Sequence, residues 1–178
     1  TTIRLKIPLT LAIVPALIVH SGSGNTMGRF AIPQVKLVEL VRVDQASKEN
    51  KIEWLQGVPV YRLRGNILPL VDLNGVLGLG GDPLEEKAIV NIAVLNADTF
   101  QFGLIVDEIQ DTADIVVKPL SRLLKSLNVY SGATILGDGS VALILDVIGL
   151  AKVANLRNDS EQDRSKSVHA VGARGEKD

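Results

Sequence analysis

The sequence contains no cysteine, and its 178 residues include only two histidines, one tryptophan, two tyrosines and three phenylalanines. Disulfides, thiolate metal sites and thiol nucleophiles are thereby excluded. The scarcity of rings leaves the core to Val, Ile, Leu and Ala, since nearly half the residues are apolar, and the β-branched share favours strands. Charge of one sign is also lacking. Lys and Arg total 19, Asp and Glu total 20, and the net charge of −1 gives no electrostatic reason to expect nucleic acid or an anionic membrane as partner. No apolar run is long enough to span a bilayer: the longest, Ile7 to Val19, is broken by Pro8, Thr10 and Pro15. No basic flank precedes a small-residue cleavage site, so the expectation is a soluble protein without direct membrane insertion.

What is present reads as strands. Ile3 to Pro8 alternates apolar and charged residues, and Leu9 to Val19 continues the apolar run into a loop at His20 to Gly28. Phe30 to Val43 is strand-like at both ends, with Pro33 opening a single helical turn between them. Asp44 to Asn50 reads as a polar connection. Val58 to Arg64 and Asn66 to Asp72 are two short strands meeting at Arg64-Gly65, and an exposed loop follows at Gly78 to Glu86. Ala88 to Leu95 and Phe100 to Val106 form a buried hairpin around Asn96 to Thr99. Ser121 to Leu127 has the pattern of a short capped helix, and Gly137-Asp138-Gly139 that of a tight turn before Val141 to Leu145. From Asn158 onward the pattern is that of a mobile polar tail. Many short strands with regular punctuation argue for an all-β barrel or sandwich.

The chain also repeats itself weakly. Gly65-Asn-Ile-Leu-Pro-Leu-Val-Asp-Leu-Asn-Gly75 aligns with Gly139-Ser-Val-Ala-Leu-Ile-Leu-Asp-Val-Ile-Gly149, and Arg29-Phe-Ala-Ile32 with Gln101-Phe-Gly-Leu104. Generic buried strands coincide easily in a Val/Leu-rich chain, but three identities at matched spacing favour duplication. Each unit reads as turn, strand, and an Asp (Asp72 or Asp146) able to cap a short helix, Leu73 to Leu77 or Val147 to Ala154. Duplication predicts two similar barrels about a pseudo-twofold axis, with a groove between them.

Convergent polar chemistry is sparse. His20 borders an apolar run and His169 lies in the polar tail, and a lone histidine in either setting is more often structural or solvated than catalytic. Asp107, Glu108, Asp111 and Asp114 form an acidic cluster without the spacing of a calcium loop, which favours a solvated strand edge or turn. Gly22-Ser-Gly24 and Gly78 to Gly81 lack the context of phosphate loops and read as turns. No metal, cofactor or catalytic residue is expected.

Several of these segments resemble the CheW-like domain family. They are Arg62-Leu-Arg-Gly-Asn-Ile-Leu-Pro-Leu-Val-Asp-Leu73, Phe30 to Pro33 with Val38-Glu-Leu-Val41, and Gly103 to Asp107 with Ile115 to Leu120. Tyr130 to Asp146 is similar to the version carried by CheA-type chemotaxis histidine kinases. Leu5 to Ile13 is similar to the junction between such a kinase's ATP-binding and regulatory domains. The resemblance covers Thr1 to about Leu156. It implies two SH3-like five-stranded β-barrels related by pseudo-twofold symmetry, with a few short helices. The implied division is 1–14 as junction strand, 15–156 as regulatory domain and 157–178 as flexible tail. The Asn-rich box and Gly-rich lid of a kinase's ATP site are absent from these residues.

By the same resemblance the domain docks the CheW adaptor and the cytoplasmic tip of chemoreceptors, coupling receptor state to an upstream kinase domain in the cytoplasm. Arg64 matches the family's arginine in kinase control, and Glu39 is its expected salt-bridge partner or a contact in its own right. An exposed Arg in a hairpin and a solvated Glu are the plainer alternatives. Ile135, Leu136, Val141 and Leu143 flank the Gly137 turn on the adaptor-facing barrel, although alternation turns some of them inward. Val38, Val41 and Val106 are the expected lining of the inter-barrel groove. A free-standing CheW-type adaptor is the alternative. A small barrel enzyme or ligand-binding protein is the reading from another class.

Overall fold

The computed structural model describes residues 13–47, 51–120 and 128–156. Of the junction strand expected over 1–14 only Ile13 and Val14 are described, both in the first strand of the domain; the Ser121 to Leu127 helix and the tail expected from sequence lie outside the described residues. Eleven strands follow in order: β1 (Ile13–Ser21), β2 (Gly28–Pro33), β3 (Leu37–Asp44), β4 (Ile52–Leu55), β5 (Val58–Leu63), β6 (Asn66–Asp72), β7 (Ile89–Asn96), β8 (Gln101–Val106), β9 (Glu108–Val116), β10 (Tyr130–Ile135) and β11 (Val141–Leu145). The α-helices are α1 (Leu73–Leu77) and α2 (Val147–Val153). Both are capped by the expected aspartates. Asp72 Oδ1 accepts from Asn74 N at 3.2 Å and Asp146 Oδ1 from Gly149 N at 3.0 Å.

Strands depart from the sequence pattern in several places, β9 and β10 among them, since neither was delineated as a strand. β1 continues through His20 and Ser21, which pair with Arg29 and Gly28, so the hairpin loop is shorter than its turn-rich composition implies. β4 was not anticipated. It is a four-residue outer strand paired with β5, held by the Gln56-Gly57 turn, whose φ angles of 51° and 84° suit a two-residue hairpin.

The strands form two sheets, ordered β10-β11-β2-β1-β9 and β3-β7-β8-β6-β5-β4. Setting β4 aside, the orders coincide: β5, β6, β8, β7 and β3 take the places of β10, β11, β2, β1 and β9. The chain is therefore duplicated and swapped. The first repeat gives β1 and β2 to one sheet and β3 to β6 to the other; the second reverses this.

Register confirms the equivalence. Parallel β6 and β8 pair Leu70 with Gly103, and parallel β11 and β2 pair Ile144 with Ala31, the same positions one repeat apart. The β3–β7 and β1–β9 ladders each carry a register shift, at Leu37/Glu39 and at Leu17/Val19. In the first sheet, Lys118 and Ala133 exchange both backbone hydrogen bonds at 2.9 Å, linking the end of β9 to β10. The second sheet has one strand more than the five implied for each barrel, β4.

The largest apolar cluster lies between the sheets. Leu17, Val19, Phe30 and Ile32 of the first meet Val71, Leu95, Phe102 and Leu104 of the second, with Val147 and Leu150 of α2 against them. Fully burying each such side chain stabilises by about 1.5–3 kcal/mol. Smaller cores lie at Val43, Tyr61, Leu70 and Ile92 in the second sheet and at Ile18, Ala31, Ile115 and Ile144 in the first. Part of the region between the expected barrels is thus a buried apolar core.

Candidate docking surfaces

The β5–β6 turn presents Arg64. Leu63 pairs with Asn66, so Arg64 and Gly65 form a two-residue hairpin loop with φ of 50° and 86°, the left-handed pair that favours glycine at the second position. The register shift in β3 places Glu39 opposite. Arg64 Nη1 donates to Glu39 Oε1 at 3.0 Å and Nη2 to Oε2 at 2.9 Å, a two-pronged pair that joins β3 to the β5–β6 turn. The Arg64 side chain is nevertheless 75% exposed and that of Glu39 only 25%. The structure brings these two expected residues together, and such exposed pairs contribute about 0–1 kcal/mol.

Of the four residues expected around the second hairpin, two face solvent. Ile135 and Val141 are directly opposed across β10 and β11 and stay 54% and 60% exposed. Leu136 is half-buried against the core of the first sheet, and Leu143 against the cluster between the sheets. The turn between them is fixed by Asp138, whose Oδ1 accepts from Ser140 N at 2.9 Å and from Ser140 Oγ, while Arg29 donates to its other oxygen and to Ser140 Oγ. The Ser140 hydroxyl, then the Arg29 guanidinium, holds the Asp138 carboxyl well below the usual carboxylate range.

The three valines expected in a common groove point in three directions. Val38, beside the β3 register shift, is 47% exposed. Val41 packs partly buried against the second-sheet core, and Val106 is sealed in the cluster between the sheets at 2% exposure. Alternation along β3 accounts for the first two, since residues one and three apart face opposite sides. The exposed apolar stretch consists of Val35, Val38 and Leu40, at 83%, 47% and 45% exposure. Its signal was in the sequence: from Leu37 to Val43 apolar residues occupy both alternating sets, more than one buried face requires.

Asp107, read from sequence as part of a solvated acidic edge, is a tie between the sheets. It sits where the chain crosses from β8 to β9. Its carboxylate accepts from Lys87 Nζ at 2.6 Å, Asn74 Nδ2 at 2.7 Å and Gly22 N at 3.0 Å. Burial alone would raise its pKa, but the bonds from Lys87, Asn74 and Gly22 outweigh that and hold it below the ordinary carboxylate value. Its neighbour Glu108 is exposed and lies 3.3 Å from His20 Nδ1. Among the described residues there is no grouping of three or more His, Asp or Glu placed to hold a metal ion, and no helix long and apolar enough to cross a membrane.

Comparison with known proteins agrees with this geometry. The CheW-like domain profile matches residues 16–155. The chain is 35% identical to the sensor histidine kinase CheAY of Helicobacter pylori over 175 residues, covering 94% of this chain and 21% of that protein. It is 29% identical to chemotaxis protein CheA of Treponema pallidum over 168 residues, 94% of this chain and 20% of that one. It therefore spans about a fifth of the length of the curated relatives it matches. The scaffolding protein TtCheW of Thermoanaerobacter tengcongensis has the same fold, with a TM-score of 0.58 at 19% identity over 77% of this chain and 92% of that one. The swapped two-sheet duplication and these relatives converge on one statement: the chain belongs to the CheW-like domain family and is homologous to the corresponding part of CheA proteins.

Proposed function

We propose that this chain is the regulatory module of a CheA-type chemotaxis kinase, docking a CheW-type adaptor and the cytoplasmic tip of chemoreceptors. In this reading it acts in the cytoplasm, contributes no bond-making chemistry, and passes receptor state to kinase domains upstream of it.

One observation carries the reading. A CheW-like family domain exposes an opposed apolar pair, Ile135 and Val141, at the end of one hairpin. Exposed apolar groups on a rigid hairpin suit burial against another protein, at about 25 cal/mol per Å² before the costs of association. Receptor contact is assigned to Val35, Val38 and Leu40, and separately to the charged pair Arg64 and Glu39.

The direct test is capture of a CheW adaptor by the wild-type chain and by Ile135→Glu/Val141→Glu. Wild-type binding at tens of micromolar that the double substitution abolishes supports docking; absence of wild-type binding removes it. A free-standing adaptor is the second reading, since the CheW-like family model matches residues 16–155. The reading frame upstream of Thr1 separates the two, since a kinase domain encoded there is incompatible with a free adaptor.

A further inference from the structure

The duplication supplies an internal comparison. Glu39 follows the register shift of β3, and Asp111 lies in the matching stretch of β9, 72 residues on. Arg64 lies in the β5–β6 turn, and Asp138 in the matching β10–β11 turn, 74 residues on. In the second sheet an arginine therefore lies across the gap between edge strand and hairpin, gripped by a carboxylate. In the first sheet the same gap has a carboxylate on each side.

That gap is an open cleft of about 220 Å³. Ile18, Ala113 and Leu136 form its apolar floor, with Gln110 and Asp111 on one wall and Asp138 on the other. Arg29 reaches the cleft but is engaged by Asp138 and Ser140. Asp111 accepts only from the amide of its neighbour Thr112, at 2.7 Å, among the described residues. Its carboxylate thus holds the position at which Glu39 grips Arg64, with no cation on it among the described residues.

We propose that this cleft receives an arginine side chain from a docking protein, with Asp111 as the carboxylate that grips it. The apolar floor suits the aliphatic stem, and the planar guanidinium suits the carboxylate in the way Arg64 meets Glu39. Lysine matches the charge but not the two-pronged geometry. The proposal rests on reading the chain as a docking module and names the chemistry that one of its surfaces takes.

The test is an amide NMR titration of the full 178-residue chain with N-acetyl-arginine methylamide, using the lysine and citrulline analogues as comparisons. Saturable shifts at Gln110 to Ala113 and Gly137 are expected with arginine in the millimolar range. Little response is expected to citrulline, and a response at least about fivefold weaker in Asp111→Asn. Arg64→Ala, which vacates the equivalent place in the second sheet, is expected to add a second set of shifts around Glu39. Unmoved amides in the wild type, or an equal response to lysine, overturn the proposal. Adaptor capture by the chain alongside unmoved amides removes the arginine cleft and leaves docking standing. Arginine binding without adaptor capture removes docking and leaves the cleft.

Discussion

The chain crosses between its two sheets twice at equivalent positions, and the crossings are built differently. From β2 to β3 it passes through a single 3₁₀ turn, Gln34–Lys36, in which Val35 is 83% exposed. From β8 to β9 it passes through Asp107, 72 residues on, tied to Lys87, Asn74 and Gly22 by its side chain and to His20 and Asn91 by its backbone. A similar contrast separates the two helices. In α1 a methyl group added at Gly75 would touch only Asp72, at 3.6 Å; in α2, at Gly149, it would overlap the carbonyl of Asn128. Duplication fixed the backbone twice, while side chains made one crossing a tie and left the other as exposed apolar surface.

The sharpest way to break this contrast is at the glycines. Gly149→Ala is expected to cost about 3 kcal/mol or more in a denaturant melt, because relief requires backbone to move. Gly75→Ala is expected to be neutral or to stabilise by up to about 1 kcal/mol through helix propensity. Equal losses at both sites would mean the two helices are not packed differently.

Next come the crossings. Asp107→Asn leaves Lys87, only 12% exposed, without its counter-charge, and a loss of about 1–3 kcal/mol is expected, against almost none for Val35→Ala. The Asp107 carboxyl titrates lower in the folded chain than in the unfolded one. Its contribution is therefore present above the unfolded value, near 4, and is lost as pH falls below it. Stability of the wild type should decline over that acid range more steeply than that of Asp107→Asn. Parallel pH profiles would contradict the assignment.

Much of this architecture could be read from residues alone. Alternating and buried runs located β5, β6, β7, β8 and β11, and the aspartates at 72 and 146 marked both helix starts. The repeat was visible because Gly, Asp and Gly recur at fixed spacing. The swap was not, since periodicity identifies a strand but says nothing of its neighbour. β4 escaped because four residues with exposed Glu53, Trp54 and Leu55 bury too little to show alternation; its outer position is braced by Glu53 and Arg62. Asp107 was misread because its side-chain partners come from 20, 33 and 85 residues away. Among the candidate contacts, Arg64 with Glu39 was legible as a pair, whereas the facing of Val41 and Val106 depended on which sheet each strand joined.

A small stability effect is expected at Arg64. Arg64→Ala removes an exposed pair and should change the melting free energy by at most about 1 kcal/mol. In the full kinase it should nevertheless alter receptor-dependent activity, and an unchanged response would take Arg64 out of signalling.

A docking module of this kind requires exposed hairpin residues that bind another protein while adding little to the fold. Titration calorimetry of Ile135→Glu/Val141→Glu against a CheW adaptor, with the melt recorded in parallel, measures both. Loss of adaptor binding with stability within about 0.5 kcal/mol of wild type is the expected result. Unaltered binding by a folded double variant would contradict it.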